Sequence, residues 1–360
     1  MALNHPLLSF LSAEPGETDL IQLEAQHFQD CSQWCQLFKI ELQNYSTLAK
    51  RKFQLFRAVF PLFQDFCQHR FREMATTHLE TLWQFWLPLA LWLADRRSTL
   101  DRPWIQGILG GQGSGKTTLA AILALLLDAL GYSAVSLSLD DLYKTHADRL
   151  RLKQQDPRLI WRGPPGTHEI ELGIQTLDAL RRPTAEPIAI PRFDKSLHQG
   201  SGDRVAPTLV TQADIVLFEG WFVGMKPIDP ALFEQAPEPI VTRADRAFAR
   251  DMNAHLVDYL PLWERLDSLI ILHLADYRWS QQWRRQAEQT IRSGGKPGMT
   301  DTEIDAFVTY FCKALHPQLF MPPLIATCEC LDLVAQIGAN HQPRQIKVGK
   351  RFGNAPTVQP

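Results

Sequence analysis

The chain has 360 residues, 45% of them hydrophobic and 21% charged, which is enough for a sizeable core and excludes a disordered or collagen-like protein. Because 37 basic residues are balanced by 39 acidic ones, the formal net charge is −2, and the chain as a whole has no field that would attract nucleic acid or an anionic membrane. We therefore expect no nucleic-acid partner, and any bound anion must be held by a local site.

The first residues and the cysteines predict a soluble, cytoplasmic protein. The sequence MALNHPLLSFLSAEPGE lacks the basic start of a signal peptide and the arginines of a transit peptide. The most apolar run, Leu82 to Ala94, contains Gln84 and Pro88 and is shorter than the roughly 20 residues that span a membrane, so no membrane partner is expected. Six cysteines without a C-x-x-C pair indicate free thiols in a reducing compartment.

Residues 1–100 are predicted to form an α-helical region. From about residue 18 to 98, apolar side chains recur every three or four positions, and no glycine interrupts the pattern after Gly16. The recurring positions include Leu20, Leu23, His27, Cys31, Trp34, Phe53, Phe56, Val59 and Phe63. The aromatic residues around 83–92 fit a core between helices, and a surface for oligomer formation would show the same pattern.

The pattern changes after Asp101-Arg102-Pro103, where short apolar runs begin to alternate with helical periods. This alternation predicts parallel strands joined by crossover helices, in one domain over residues 101–340. The predicted strands are Ile105–Leu109, Ala134–Leu139, Ile215–Phe218, Leu269–Leu274, Leu324–Thr327 and Leu333–Ile337. The first four are almost uninterrupted apolar runs, as expected for strands buried on both faces. The basic residues 341–360, which contain glycine and proline, are predicted to be a mobile tail.

A phosphate-binding loop is predicted between the first strand and the helix that follows it. The sequence GGQGSGKT at 110–117 matches G-x-x-x-x-G-K-[ST], in which glycines let backbone N–H groups approach phosphate oxygens. We expect Lys116 to contact the β- and γ-phosphates and the Thr117 hydroxyl to coordinate Mg²⁺. The predicted nucleotide-binding residues are Gly110, Gly111, Gln112, Gly113, Ser114, Gly115, Lys116, Thr117 and Thr118.

Two carboxylates are predicted to reach the same edge of the sheet as this loop. Glu219 follows the strand Ile215–Phe218 and is a candidate for a second contact to Mg²⁺, since ligands of open α/β sheets bind at the carboxyl ends of the strands. Asp140 ends the strand that follows the phosphate-loop helix. Transfer of a phosphoryl group to an alcohol needs a proton acceptor, so Asp140 is the predicted general base. The Asp140-Asp141 pair could instead cap a helix.

The classes of nucleotide-binding protein can be narrowed by motifs that are missing. The chain contains neither the N-K-x-D string that reads guanine nor the L-S-G-G-Q signature of ABC proteins. A kinase that uses ATP and Mg²⁺ and phosphorylates a small molecule is therefore favoured. The alternative from another class is a binding module that is switched by nucleotide and has no phosphoryl acceptor.

Separate sequence blocks carry a resemblance to a known family. Asp140-Asp141-Leu142-Tyr143, after a phosphate-loop helix, resembles the acceptor-side motif of the phosphoribulokinase, uridine kinase and pantothenate kinase superfamily. More specifically, the chain is similar to the plant and cyanobacterial type of D-glycerate 3-kinase and its fungal relatives. The blocks are GGQGSGKTT (110–118), SLDDLYKTHADR (138–149), RGPPGTHEIELG (162–173), IPRFDKSLHQGSGDR (190–204), FEGWFVG (218–224) and WRRQAEQTIRSGGKPGMTDTEI (283–304). Glu169 departs from the aspartate expected there.

The resemblance implies a P-loop NTPase fold and transfer of the γ-phosphate of ATP to the 3-hydroxyl of D-glycerate. The carboxylate of this acceptor requires a cation, for which an arginine is best suited. Candidate acceptor-site residues are Asp141, Arg162, His168, Lys195 and Arg204. We expect Arg162 and Arg204 to face the acceptor, although each could be a surface charge, and His168 could cap a helix instead. Uridine, pantothenate or another small alcohol is the alternative acceptor.

A lid is predicted around residues 276–300. Tyr277 to Arg292 has the pattern of a helix that contains Arg284 and Arg285 and ends at Gly294-Gly295. Cationic residues that close over the phosphates would exclude water and suppress hydrolysis of ATP. The same arginines would also fit a solvated helix face.

Overall fold

The structure, a computed structural model, describes residues 45–182, 186–293 and 299–349, together with positions 7, 8, 11, 16 and 19. No helix in these ranges is long and apolar enough to cross a membrane. Three parts of the sequence-based predictions lie outside the described residues. They are the helical pattern over 20–44, the Gly294-Gly295 end of the lid, and the tail beyond residue 349.

The centre of the molecule is a sheet of six strands in the order β2-β5-β1-β6-β7-β8. A separate hairpin consists of β3 and β4. The strands are β1 Trp104–Gly110, β2 Ala134–Ser138, β3 Ile188–Asp194, β4 Asp203–Val210, β5 Ile215–Gly220, β6 Ser268–Leu274, β7 Leu331–Ile337 and β8 Pro343–Val348. The first five strands of the central sheet run parallel and β8 is antiparallel to β7. The parallel strands therefore all end at one edge, which we call the carboxyl edge.

Helices cover both faces of this sheet. The main helices are α1 Tyr45–Arg70, α2 Leu87–Ser98, α3 Lys116–Ala129, α4 His146–Gln155, α5 Ile170–Arg181, α6 Arg243–His255, α7 Trp279–Ser293, α8 Asp301–Ala314 and α9 Pro317–Thr327. Shorter helical turns occur at Ala75–His78, Leu79–Thr81, Leu82–Trp86, Leu139–Leu142, His198–Gly200, Pro230–Gln235, Leu256–Tyr259 and Leu260–Trp263. The fold is thus the predicted α/β arrangement with a mostly parallel, helix-flanked sheet.

The strands are apolar on both faces because each face packs against a different group of helices. Along β5, Ile215 and Leu217 belong to the cluster that contains α1, α2 and α3. Val216 and Phe218 point the other way, into the cluster that contains α5, α6 and α9. This alternation is the two-residue period of a strand, and it explains why every residue of β1 and β5 is buried.

The described part of the N-terminal region is helical, as predicted, and shares its core with the sheet. Phe56 of α1 and Leu93 of α2 are fully buried in the same apolar cluster as Ile108 of β1. Trp83 packs edge-on against Phe56 at a ring distance of 5.9 Å. The aromatic residues over 83–92 therefore serve helix packing, the first of the two interpretations.

Two sequence-based predictions about secondary structure are wrong. The predicted strand Leu324–Thr327 is the last turn of α9, because a short apolar run fits a buried helix as well as a strand. Residues 343–348 of the predicted tail form β8, whose Ile346 is buried against the helical core. Ile346 is the one buried residue of this strand and its neighbours are polar, so the alternation of apolar and polar residues was too weak to predict a strand. The β3–β4 hairpin, largely exposed along β4, was not predicted.

Candidate active site

The predicted phosphate loop joins β1 to α3 at the carboxyl edge. Gly113 and Gly115 have φ values of +76° and +88°, in the left-handed region that favours glycine. Gly115 is the N-cap of α3, so the loop ends where the helix presents its unpaired N–H groups. A Cβ atom on Gly110 would lie 2.3 Å from the hydroxyl oxygen of Ser114, which shows how tightly the loop is wound. Residues 110–118 thus have the geometry of an anion-binding turn.

Two aromatic side chains that the sequence did not predict contact the loop at Gly113. Trp283 of α7 packs against Gly113, where an added Cβ would come within 3.0 Å of the indole. His341, in the turn between β7 and β8, stacks on Trp283 with ring centroids 4.0 Å apart. Its Nδ1 lies 3.1 Å from the carbonyl oxygen of Gly113. Neither residue is in the loop motif, so their roles depend on long-range packing.

The side chains of Thr117, at the start of α3, and Glu219, at the end of β5, are in direct contact. The Thr117 hydroxyl donates a 2.9 Å hydrogen bond to Oε1 of Glu219. The glutamate is only 4% exposed, and its Oε2 has no hydrogen-bond partner among the described residues. An orphaned, buried carboxylate oxygen beside a hydroxyl at a helix start is a donor set of the kind that Mg²⁺ prefers. These two residues can therefore hold a magnesium ion next to the phosphate loop.

Asp140 lies in the helical turn Leu139–Leu142 that follows β2. Its Oδ1 accepts a 2.8 Å hydrogen bond from the Tyr143 hydroxyl, and its Oδ2 lies 2.5 Å from Nζ of Lys195. Burial alone would raise the pKa of Asp140, but the nearby Lys195 and Lys116 charges outweigh it and lower the pKa to about 2. Asp140 is therefore ionised at neutral pH. Its carboxylate lies near enough to Lys116 of the phosphate loop for the two charges to interact.

Asp141 has a different role from its neighbour. Its carboxylate accepts the backbone N–H of Ser138 at 3.1 Å and that of Phe193 in β3 at 3.2 Å, and it pairs with Arg192 at 3.2 Å. It completes a capping box for the turn and ties the β3–β4 hairpin to β2. Asp141 therefore caps the turn, and its contact with the acceptor stays a prediction.

Arg162 and Arg204 both lie beside Tyr143. Arg162 donates to the backbone carbonyls of Gly200 and Ser201, at 2.7 and 3.0 Å, and its guanidinium lies over the Tyr143 ring. Nε of Arg204 donates to the backbone carbonyl of Tyr143 at 2.9 Å. Its buried NH2 makes no hydrogen bond within the described chain and lies 3.9 Å from a carboxylate oxygen of Glu169. A buried guanidinium nitrogen without a hydrogen-bond acceptor can bind an anion here.

His168 is buried between two tyrosines and does not cap α5. Its Nδ1 lies 2.7 Å from the hydroxyl of Tyr259, and its ring stacks on Tyr143 at a centroid distance of 4.7 Å. Burial lowers the pKa of His168 to about 3, so the imidazole is neutral. The N-cap of α5 is Glu169, whose side chain makes no capping hydrogen bond. His168 therefore supports the ring of Tyr143 as a neutral group.

Comparison with known proteins decides the family. The chain is 34% identical over 218 residues to the uncharacterized kinase mug58 of Schizosaccharomyces pombe, covering 58% of this chain and 79% of that protein. It is 30% identical over 264 residues to the chloroplastic D-glycerate 3-kinase of Arabidopsis thaliana, covering 68% of this chain and 56% of that enzyme. The chain thus spans little more than half the length of the plant enzyme. It belongs to the P-loop kinase family that includes D-glycerate 3-kinase.

The solved structures agree with this assignment. The D-glycerate 3-kinase of Cryptococcus neoformans superposes with a TM-score of 0.62 at 26% identity, covering 72% of this chain and 96% of that one. No protein-family model matches the chain. This member of the P-loop kinase family that includes D-glycerate 3-kinase therefore shares the fold of a solved kinase over 72% of its length, and the chemistry of the family is phosphoryl transfer.

The lid helix of this P-loop kinase has other contacts than those predicted. Arg285 binds both carboxylate oxygens of Asp305 in α8, at 2.6 and 2.7 Å. Arg284 pairs with Glu288 one turn further along α7, at 2.8 Å. In this structure both arginines are paired with carboxylates of α7 and α8, and their closure over the phosphates stays a prediction. Trp283 of α7 packs against the loop at Gly113.

A cleft of about 570 Å³ adjoins the phosphate loop on the side away from Asp140. It is lined by Gly111 of the loop, by residues 272–278 at the end of β6, and by Pro317 to Pro322 of α9. Its volume is in the range of small-molecule sites. No motif marks it in the sequence, because its walls come from three separate segments.

Proposed function

We propose that this kinase is a D-glycerate 3-kinase, which transfers the γ-phosphate of ATP to the 3-hydroxyl of D-glycerate and forms 3-phosphoglycerate and ADP. The observation that carries the proposal is the position of Tyr143. Its hydroxyl donates to Asp140 and its backbone carbonyl accepts from Arg204, whose NH2 makes no hydrogen bond among the described residues. A carboxylate base and a guanidinium with a free donor thus contact the same residue, and a small hydroxy acid needs both groups close together. The two D-glycerate 3-kinases among the relatives support the same acceptor.

The nucleotide would bind with its phosphates in the loop 110–118 and its base in the adjoining cleft. The backbone N–H groups of the loop and the ammonium of Lys116 would hold the β- and γ-phosphates. Thr117 and Glu219 would hold Mg²⁺, which supplies positive charge to the phosphate oxygens when bound. Glu219 is buried and its Oε2 lacks a partner among the described residues, so it can ligate the ion without breaking a hydrogen bond of that oxygen.

The acceptor would bind with its carboxylate on Arg204 and its 3-hydroxyl toward Asp140. Arg162 is fixed by the carbonyls of Gly200 and Ser201 and adds a second positive charge. A neutral His168 behind Tyr143 keeps that side chain in place without adding charge. Recognition of the acid would therefore depend on arginine, which suits a planar carboxylate.

The transfer itself requires one bond to form and one to break. The 3-hydroxyl oxygen attacks the γ-phosphorus, and the bond between that phosphorus and the bridging β,γ-oxygen breaks. ADP leaves with the electron pair of that bond, and the hydroxyl proton passes to the carboxylate of Asp140. Positioning and charge neutralisation by Lys116 and the loop would supply most of the rate enhancement.

The test is ADP formation by the purified protein with ATP, Mg²⁺ and a panel of alcohols. The panel contains D-glycerate, L-glycerate, glycerol, uridine and pantothenate, with a reaction lacking any acceptor as control. We expect turnover that depends on D-glycerate, and a ³¹P spectrum of the product that matches 3-phosphoglycerate rather than the 2-phosphate. Turnover with uridine or pantothenate alone would show another acceptor. Hydrolysis that is indifferent to every alcohol would favour the nucleotide-switched module.

A further inference from the structure

Asp140, the proposed base, is paired with an exposed lysine. Nζ of Lys195 lies 2.5 Å from Oδ2 of Asp140. The lysine side chain is 59% exposed, whereas that of Asp140 is 29% exposed. Lys195 begins the segment between β3 and β4, residues 195–202, which we call the hairpin turn. The ion pair therefore joins the base to a flexible cation at the surface of the site.

This pair works against proton transfer as it stands. Oδ1 of Asp140 accepts from the Tyr143 hydroxyl and Oδ2 from Lys195, so an acceptor hydroxyl would have to share one of these oxygens with a donor that is already bound. The Lys195 charge is also the main reason why the pKa of Asp140 falls to about 2 despite burial, far from the range in which a general base is most effective. Proton transfer to Asp140 is therefore favoured when one of the two partners moves away in the reacting complex.

Lys195 is the partner that can move. Tyr143 is 5% exposed, its ring stacks on His168, and its backbone is bound by Arg204. Lys195 has a flexible side chain of four methylene groups that ends in solvent. The backbone of the hairpin turn is held against α4, because Arg149 donates to the carbonyl of Ser201 at 2.7 Å and the ring of His198 stacks on that of His146. Only the side chain of Lys195 has to rotate.

A displaced Lys195 needs another anion, and the nearby carboxylates of the described residues already have partners. Asp141 accepts two backbone N–H groups. Asp194 accepts the N–H and hydroxyl of a serine, and Asp203 accepts two further backbone N–H groups. Glu169 lies between two other cations, at 3.7 and 3.9 Å. The anions that remain are those of the two substrates, the phosphates of ATP and the carboxylate of the acceptor, and only the carboxylate is missing when a neutral alcohol takes the place of the acid.

We propose that Lys195 exchanges partners during the reaction: it pairs with Asp140 in the free enzyme and with the carboxylate of the acceptor in the complex. The exchange uncovers Oδ2 of Asp140 for the acceptor hydroxyl. This inference rests on the proposed function, and it adds that the carboxylate of the substrate activates the base as well as contributing to binding. Neutral alcohols would leave Lys195 on Asp140, and the enzyme would reject them at the chemical step.

The variants that test the exchange are Lys195→Met and Lys195→Arg. Lys347→Met serves as a matched control, because Lys347 is an exposed lysine on β8, outside the proposed acceptor site. Values of kcat and KM are measured for D-glycerate and for glycerol, which replaces the carboxylate by a neutral hydroxymethyl group. Binding of ADP and the circular dichroism spectrum show that each variant is folded.

In Lys195→Met, we expect kcat/KM for D-glycerate to fall at least tenfold, while kcat for glycerol stays the same or rises. The acid limb of the glycerol pH–rate profile should move to higher pH, because Asp140 then loses the cation that stabilises its ionised form. Lys116, Tyr143, Asp141 and His168 also act on Asp140, but they are unchanged in the variant. Lys195→Arg should keep the preference for the acid, and Lys347→Met should behave like the wild type.

Two results would overturn the exchange while leaving the kinase activity intact. One is an equal loss of turnover with both acceptors in Lys195→Met, which would mean that Lys195 only holds Asp140 in place. The other is a wild-type enzyme that phosphorylates glycerol as fast as D-glycerate. If a different hydroxy acid proves to be the acceptor, the proposed substrate is wrong, and the exchange is judged in the same way by comparing that acid with its neutral alcohol.

Discussion

The imidazole of His341 stacks on the indole of Trp283, with centroids 4.0 Å apart, and both rings contact the phosphate loop at Gly113. The indole N–H of Trp283 also donates to the carbonyl of Ala339 at 3.1 Å. The turn between β7 and β8 and the helix α7 therefore meet at one glycine of the loop. Trp283 thus packs helix α7, the predicted lid, against the phosphate loop. Arg284 and Arg285 of the same helix pair with carboxylates of α7 and α8 instead.

The first prediction concerns the packing at Gly113. In Gly113→Ala, the new Cβ would be 3.0 Å from Trp283, at a φ of +76°, so we expect weaker ATP binding and a loss of stability. Gly131→Ala is the matched control, since Gly131 has a φ of +83° with nothing within 4 Å. The control should lose about 1–2 kcal/mol of unfolding free energy, the cost of a left-handed backbone for alanine, with an unchanged KM for ATP. An unchanged KM in Gly113→Ala would contradict the role of this contact.

The second prediction concerns the proposed general base. Asp140→Asn should lower kcat by about 10²–10⁴ with little change in nucleotide affinity, because the amide cannot take a proton. Asp141→Asn should mainly lower the melting temperature, because Asp141 accepts backbone N–H groups instead of facing the phosphate loop. Steady-state kinetics and thermal unfolding of both variants separate the two roles. Near-normal turnover of Asp140→Asn would remove this residue from the mechanism.

The third prediction concerns the magnesium site. Thr117→Ala and Glu219→Gln should each raise the Mg²⁺ concentration that gives half-maximal activity, since the two side chains are joined by a 2.9 Å hydrogen bond in the proposed site. Thr117→Ser keeps the hydroxyl and should need no more Mg²⁺ than the wild type. Titration of activity with Mg²⁺ at saturating ATP gives the comparison. Equal Mg²⁺ requirements in the alanine and serine variants would rule out the hydroxyl as a ligand.

The fourth prediction concerns recognition of the acceptor carboxylate. Arg204→Ala should raise KM for D-glycerate by about 10- to 100-fold, the value of one hydrogen bond to a charged group, and leave KM for ATP nearly unchanged. Arg151→Ala is a suitable control, because Arg151 is 73% exposed and pairs only with Asp148 three residues earlier in the described structure. A larger effect on ATP than on D-glycerate would place Arg204 on the nucleotide side.

The fifth prediction concerns stability in acid. Lys313 of α8 pairs with Asp245 of α6 at 2.6 Å. Burial would raise the pKa of Asp245, but this lysine and the capping hydrogen bonds of Thr242 lower it to about 2. Because the pKa is lower in the folded state, the stabilisation is full above the ordinary aspartate pKa and is lost as the pH falls toward 2.

Asp245→Asn measures this contribution. We expect the variant to lose roughly 2 kcal/mol of unfolding free energy at pH 7, and about half as much at pH 3. Urea denaturation at both pH values gives the two differences. A loss that is the same at pH 3 and pH 7 would mean that the carboxylate charge contributes nothing and that only the shape of the side chain matters.

Two contacts, one of Asp141 and one of Arg285, show what sequence reasoning does not reach. The cap of Asp141 is local, because its carboxylate accepts the N–H of Ser138, but its further bonds to Arg192 and Phe193 come from β3. Arg285 is bound by Asp305, twenty residues further on, in a helix whose position relative to α7 no local pattern gives. These partners lie in other elements, so the residues around each side chain do not show whether it contacts solvent, protein or ligand.

The sequence by itself determined the strands of the parallel sheet around the loop, the loop 110–118, and the two carboxylates that end β2 and β5. Each of these depends on residues that are close together in the chain, so apolar runs, glycines and strand ends suffice to locate them. Only the tertiary structure decided that Lys195 covers Asp140 from 55 residues away and that Trp283 and His341 support the loop. Contacts between distant segments follow from how the whole core packs, and that information is not contained in any one stretch of the chain.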